Sequence, residues 1–208
     1  MTHEQREHIP DDFREVVAGM KGEMPWKPAI TDGFSGWIAP VSGVWCPIES
    51  PDTVPDWEAV ENGFLCESRK EWGDGSCIAF GDASWEYVEL TALVTALGGG
   101  NVQMFFCFNE QTGAGYVFDM LYGWQAIQIA RFQVALGEFE RLSVVNYPLE
   151  HGREYAVTIA ARGASLTTYV DGALVNQVTD ATLKRGRVAL NGWHSRTLYR
   201  DPRYRLLA

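Results

Sequence analysis

The chain has 208 residues, 46% of them apolar and 21% charged, with a formal net charge of −10. That length suits one β-rich domain with a sizeable core, and the composition excludes wholesale disorder and collagen-like repeats. Residues 1–89 carry 18 Asp/Glu against 6 Lys/Arg, and the overall acidity argues against binding nucleic acid through its phosphates, which needs a concentrated positive footprint.

Residues 1–25 read as a helical extension. Asp11 to Met20 follows Pro10, carries acids in its first turn and spaces Phe13, Val16, Val17 and Met20 at helical intervals before Gly22. No basic stretch followed by an apolar run marks a secretory signal, and no apolar run is long enough to cross a membrane, so a cytoplasmic protein is expected. Cys46, Cys66, Cys77 and Cys107 contain no C-x-x-C pair, which predicts buried, reduced thiols.

Residues 26–208 read as one antiparallel β-sandwich or jelly roll. Prolines crowd the stretch to Asp56, which predicts loops around one or two short strands. Two strands over 57–67 join at Glu61-Asn62-Gly63, an Asn-Gly hairpin cue. Further strands are predicted at 76–80, 85–96, 101–109, 115–121, 124–132, 139–146, 153–161, 165–170, 173–178, 186–191 and 196–206. Turn formers separate them: Gly98-Gly99-Gly100-Asn101, Gly113, Gly123, Gly163 and Asp171-Gly172. The arginines between Lys184 and Arg205 fit the wet side of a last strand paired with the acidic N-terminal half.

Strand 85–96 alternates. Its even residues from Val88 to Ala96 are apolar and predicted to face the core, leaving Trp85, Tyr87 and Glu89 on the other face. Gln103 to Asn109 is apolar on both faces, as in a strand covered on both sides or lining a pocket.

A longer pattern runs through these strands: Trp57-x-x-Val60-x-Asn62-Gly63-x-Leu65, Trp85-x-Tyr87-x-x-Leu90, Gly-Gly-Gly-Asn101-x-Gln-Met-Phe, Gly115-Tyr116-x-Phe118, Arg153-Glu-Tyr155-x-Val157-x-Ile159, Leu166-x-x-Tyr169-x-Asp171-Gly172-x-Leu174-Val175 and Gly186-x-Val188-x-Leu190. It resembles the concanavalin-A-like lectin/glucanase superfamily, and within it the 3-keto-disaccharide hydrolase type of domain, over roughly residues 57–206. The resemblance implies a jelly roll of two curved antiparallel sheets that hydrolyses, or cleaves by elimination, a 3-keto-glycoside at its concave face. It also implies a Gln-x-His segment before the last strand. Here that segment reads Asn191-Gly192-Trp193-His194, which offers His194 and replaces the Gln by Asn191.

Glu86 and Glu89 are three apart and face opposite sides of a strand, so they cannot flank one sugar as a retaining glucanase requires. Proton abstraction beside a ketone needs a general base and a group that stabilises the enolate. His194 is the first candidate base and His151 the second, with Glu89 and Asp119 on strands expected to flank the same face. Together these could hold a divalent ion, although no ligand spacing demands one. Aromatic faces and planar polar groups suited to a small carbohydrate are Trp85, Tyr87, Tyr116, Trp124 and Trp193 with Gln103, Asn109 and Gln128. A non-catalytic carbohydrate-binding module, or a structural subunit of a homo-oligomer, remains the alternative to an enzyme.

Overall fold

A computed structural model describes residues 27–29, 46–47, 57–67, 76–109, 112–133, 136 and 138–207; the helix expected over 11–20, and with it the boundary at residue 25, lies outside them. Among the described residues thirteen strands follow in chain order: β1 (Lys27–Ala29), β2 (Cys46–Pro47), β3 (Trp57–Val60), β4 (Gly63–Glu67), β5 (Ser76–Phe80), β6 (Tyr87–Asn109), β7 (Ala114–Leu121), β8 (Ala126–Gln133), β9 (Glu138–Asn146), β10 (Glu154–Arg162), β11 (Ser165–Val170), β12 (Ala173–Thr179) and β13 (Arg187–Leu206). No helix among the described residues is long and apolar enough to cross a membrane.

Two very long strands organise the sandwich. β6 and β13 pair with each other along most of their lengths, from Arg187 opposite Phe108 to Leu206 opposite Val88. Their outer ends, 88–98 of β6 and 196–206 of β13, form the middle of a first sheet in the order β3-β4-β13-β6-β10-β11-β12. Their inner ends, 101–108 and 187–193, form the middle of a second sheet in the order β1-β5-β13-β6-β7-β8-β9. Among the described residues every pairing is antiparallel except β1 with β5. The two strands therefore bend together from one sheet into the other.

That bend replaces two turns expected from sequence. Gly98 to Asn101 was predicted to separate strands, and so was the gap between 191 and 196; each is instead a corner inside one strand. Gly99 has φ +87°, and a Cβ there would lie 2.1 Å from the backbone oxygen of His194, whose own φ is 46°. Glycine lets the two backbones touch where the sheet turns.

Alternation does the rest. The even residues of β6, from Val88 through Met104, face inward, where Leu90, Val94, Val157 and Leu166 of the first sheet meet Met104, Phe118, Ile129 and Leu190 of the second. Tyr199 crosses this core: its hydroxyl donates to the backbone oxygens of Asn191 (2.9 Å) and Gln103 (3.0 Å), tying the first sheet to the second. Tyr199→Phe should lower stability by about 1 kcal/mol in chemical denaturation, since it removes one buried hydrogen-bond donor and little volume. An unchanged midpoint would show that the bridge contributes nothing.

The outer face of the first sheet is ionic, as expected for the last strand. Arg196 pairs with Glu67 at 3.8 Å, Arg200 with Glu154, and Arg205 with Glu89. The outer face of the second sheet is a second apolar cluster, with Phe105, Phe108, Val117, Phe132 and Trp193 all buried. The second sheet is thus covered on both sides, the first of the two readings that the composition of Gln103 to Asn109 allowed. Cys66, Cys77 and Cys107 are free and buried, and burial pushes the Cys107 thiol up to about 12.

Candidate functional site

One polar row crosses the buried outer face of the second sheet. The register places Asn191 opposite Gln103, Gln103 opposite Asp119, Asp119 opposite Gln128 and Gln128 opposite Val144, on β13, β6, β7, β8 and β9 in turn. Side chains opposite one another on neighbouring strands share a face, so four polar groups line up between the apolar rows. All four are nearly inaccessible, from 0% exposure at Asn191 to 3% at Gln103.

The hydrogen bonds of the row converge on Asp119. Asn191 Nδ2 donates to Gln103 Oε1 at 2.5 Å, Gln103 Nε2 donates to Asp119 Oδ2 at 3.2 Å, and Gln128 Nε2 donates to the same Oδ2 at 3.1 Å. Three oxygens are left with no hydrogen-bond partner among the described residues: Asp119 Oδ1, Gln128 Oε1 and Asn191 Oδ1. Burial raises the Asp119 carboxyl to about 7, opposed by the hydrogen bonds from Gln103 and Gln128 and by the charge of Arg141. Because Oδ2 already accepts two N–H groups, a proton on this carboxyl belongs on Oδ1.

The face opens toward β9. Val144, next in the row after Gln128, is exposed, and Arg141 is half-buried. Arg141 lies opposite Ala130, an outward residue, because a register shift between Ile129 and Ala130 resets the alternation. Its guanidinium stacks 4.3 Å above the ring of Trp124, which stands 44% exposed on the tight turn over 122–124 between β7 and β8. Burial lowers the Arg141 pKa while the charge of Asp119 raises it, so the cation senses the carboxylate. Arg141 and Asn191 were not among the site residues expected from sequence. Asn191 carried a signal, its place in the Asn191-Gly192-Trp193-His194 segment, and Arg141 carried none.

Of the expected residues, Gln103, Asp119 and Gln128 meet in the row, Trp193 borders Asn191 on the same face, and Trp124 stands at its open end. The others go elsewhere. Glu89 and Asp119 were expected to flank one face, but they occupy the two opposite outer faces of the sandwich: Glu89 is held by Arg162 (2.9 Å) and Arg205. Tyr87 keeps Glu89 company there, exposed, as alternation predicted. Trp85 does not join them, because β6 begins only at Tyr87; Trp85 folds inward from the preceding loop and stacks on Tyr204 at 5.2 Å. Tyr116 also points into the core, where its ring stacks on Phe106 and its hydroxyl donates to Asp180 Oδ1 at 2.6 Å. Burial, followed by that hydrogen bond, raises the Tyr116 hydroxyl.

Asn109 closes a turn, its Oδ1 accepting the Thr112 N–H at 3.2 Å. His194 sits at the sheet corner, its ring edge-on to Trp193 at 5.8 Å. His151, the second candidate base, stacks on Tyr122 at 4.6 Å, with Nε2 3.2 Å from the Gly99 oxygen. With Glu89 on the far side, the divalent-ion expectation loses a ligand, and among the described residues no group of three His, Cys, Asp or Glu side chains could hold a metal. The chemistry present is one buried carboxyl, three amides, a guanidinium and two indoles.

The two sheets define a jelly-roll β-sandwich. No family model and no curated protein matches the chain. Among solved structures it is similar to a carbohydrate binding module, CBM66 from Bacillus subtilis, with 18% identity, 77% of this chain and 94% of that one covered, and a TM-score of 0.64. It is also similar to a Crh5 transglycosylase in complex with NAG, with 16% identity, 79% and 78% covered and a TM-score of 0.56. A sialidase shares 12% identity, with 77% of this chain but only 16% of that chain covered and a TM-score of 0.53. At such identities the likeness is one of fold.

Proposed function

We propose that this protein recognises a small carbohydrate on the outer face of its second sheet, entering from the β9 side. The observation that carries the reading is the buried Asn191-Gln103-Asp119-Gln128 row, which holds three oxygens without a hydrogen-bond partner among the described residues and runs toward the exposed β9 side and the Trp124 ring. Sugar binding uses such an arrangement: planar amides and a carboxylate take hydroxyl groups while an indole covers the apolar face of the ring. The similarity of fold to a carbohydrate binding module and a transglycosylase supports the substrate class.

A panel of methyl glycosides, titrated against intrinsic Trp fluorescence and by calorimetry, tests this. At least one should bind saturably, and Trp124→Ala should weaken that binding about fivefold or more by removing the stacking surface. Absence of saturable binding across the panel would overturn the reading.

A second reading, cleavage of a 3-keto-glycoside, rests on the carboxyl of Asp119. Held near neutrality, Asp119 Oδ1 takes the proton from the carbon between the ketone and the anomeric carbon. The electron pair then expels the aglycone oxygen, which recovers that proton from Asp119. Turnover of 3-keto-glucosides, with none of their unoxidised parents, separates catalysis from binding alone.

A further inference from the structure

We infer that Gln125 is a positioning residue for the sugar site: it fastens the tight turn over 122–124 to the loop over 147–152, and so sets where the Trp124 ring stands. The inference rests on the carbohydrate reading above and adds the residue that orders its stacking surface in advance.

Trp124 is 44% exposed and ends a turn of three residues, Tyr122–Trp124, that has no side-chain cap at its start. So short a turn has few hydrogen bonds of its own. Gln125 closes it at φ 51° and ψ 50°, a left-handed conformation uncommon for a residue with a Cβ. Its amide then reaches back and across. Gln125 Nε2 donates to the Tyr122 oxygen at 2.9 Å and to the Leu149 oxygen at 3.0 Å, while Oε1 accepts the Leu149 N–H at 2.9 Å. The side chain thus pairs with both backbone groups of Leu149 as a neighbouring strand would, and its two N–H groups and its oxygen are all used. The Tyr147 N–H donates to the Gln125 backbone oxygen at 2.8 Å, a second tie between the same two segments.

The loop is itself anchored. Leu149 is buried in the core, the Glu150 N–H donates to the Tyr155 hydroxyl at 2.8 Å, and the Gly152 N–H donates to the Ala96 oxygen at 2.8 Å. A left-handed residue persists where its surroundings over-determine it, and such positions gather at ligand clamps. Through Gln125 the indole is referenced to β6 and β10 rather than left to a free turn, so a sugar that stacks on it meets a ring already in place.

Gln125→Gly separates the fastening from the backbone, because glycine takes the left-handed conformation freely while all three side-chain bonds are lost. By calorimetry on the full chain, with the methyl glycoside that the panel identifies, this variant should bind about threefold more weakly or worse. Gln125→Met, which keeps the length of the side chain without its amide, should do the same. The double variant Gln125→Gly/Trp124→Ala should bind no more weakly than Trp124→Ala alone, since Gln125 then has no ring to act through. In fluorotryptophan-labelled protein, the fluorine resonance that Trp124→Phe deletes should shift or broaden in Gln125→Gly while those of the other indoles stay. Additive losses in the double variant, or a Trp124 resonance that does not respond, would overturn the inference and leave the carbohydrate reading standing. Failure of every glycoside to bind would overturn both, and the fluorine spectrum, which needs no sugar, tells the two failures apart.

Discussion

Asp119→Asn should make the protein more stable at pH 8 and flatten the dependence of its stability on pH. Asp119 is 1% exposed, and burial lifts its carboxyl from 3.8 to about 7. Between these values the folded chain holds a proton that the unfolded chain has released, so the contribution of Asp119 to stability is highest below about pH 4 and falls as pH rises toward 7. A shift of this size amounts to about 4 kcal/mol lost by pH 8, at roughly 1.4 kcal/mol per unit.

Asparagine is neutral throughout, so the loss disappears. Its new N–H₂ replaces the unpartnered Oδ1, and an unsatisfied buried donor takes back about 1–3 kcal/mol. The net expectation is a gain of about 1–3 kcal/mol at pH 8, some 2–10 °C in Tm, with little gain or a loss at pH 4.5. Parallel Tm profiles for the two proteins from pH 4.5 to 8.5 would show that Asp119 does not titrate as its burial requires. A bound sugar that donates to Oδ1 stabilises the ionised form, so saturating ligand should narrow the gap between the two proteins at pH 8.

Local pattern alone gave most of the strands. The Asn62 hairpin, the Gly113 and Asp171-Gly172 turns and the inward set from Val88 to Ala96 are properties of a few adjacent residues, and the structure has them where turn chemistry and period-two alternation put them. The polar row was legible only as parts. Gln103, Asp119 and Gln128 are separated by 16 and 9 residues, and whether they meet depends on the register of two hairpins, which no side chain announces.

Arg141 was hidden for a sharper reason. Counting back by twos from Val144 points Arg141 inward, and only the extra residue between the partners of Ile129 and Ala130 turns it out. Trp85 failed differently: alternation was extended two residues before the strand begins, so a core residue was assigned to the surface. Glu89 was placed on the correct face of its strand, yet the strand passes through both sheets. Its partners there are Arg162 and Arg205, 73 and 116 residues away.

The corner that joins the sheets makes the sharpest demand on sequence, and neighbouring glycines can measure it. Gly98→Ala should change stability by less than about 0.5 kcal/mol, because a Cβ there meets nothing within 4 Å. Gly99→Ala should lower it by about 3 kcal/mol or more. Part of that is the left-handed backbone at φ +87°, about 1–2 kcal/mol for a residue with a Cβ. The remainder is the contact at 2.1 Å with the His194 oxygen and at 2.9 Å with the Ser195 Cα, both backbone atoms that no rotamer change can move aside. Relief requires β13 to separate from β6 at the point where both change sheets. Trp193, two residues from Ser195 and bordering the polar row, then shifts with the backbone. Gly99→Ala is therefore also expected to weaken sugar binding, whereas Gly98→Ala keeps both stability and affinity. Equal denaturation midpoints for the two variants would show that the strands can part at the corner without loss, and that the close approach is not what holds the two sheets in register.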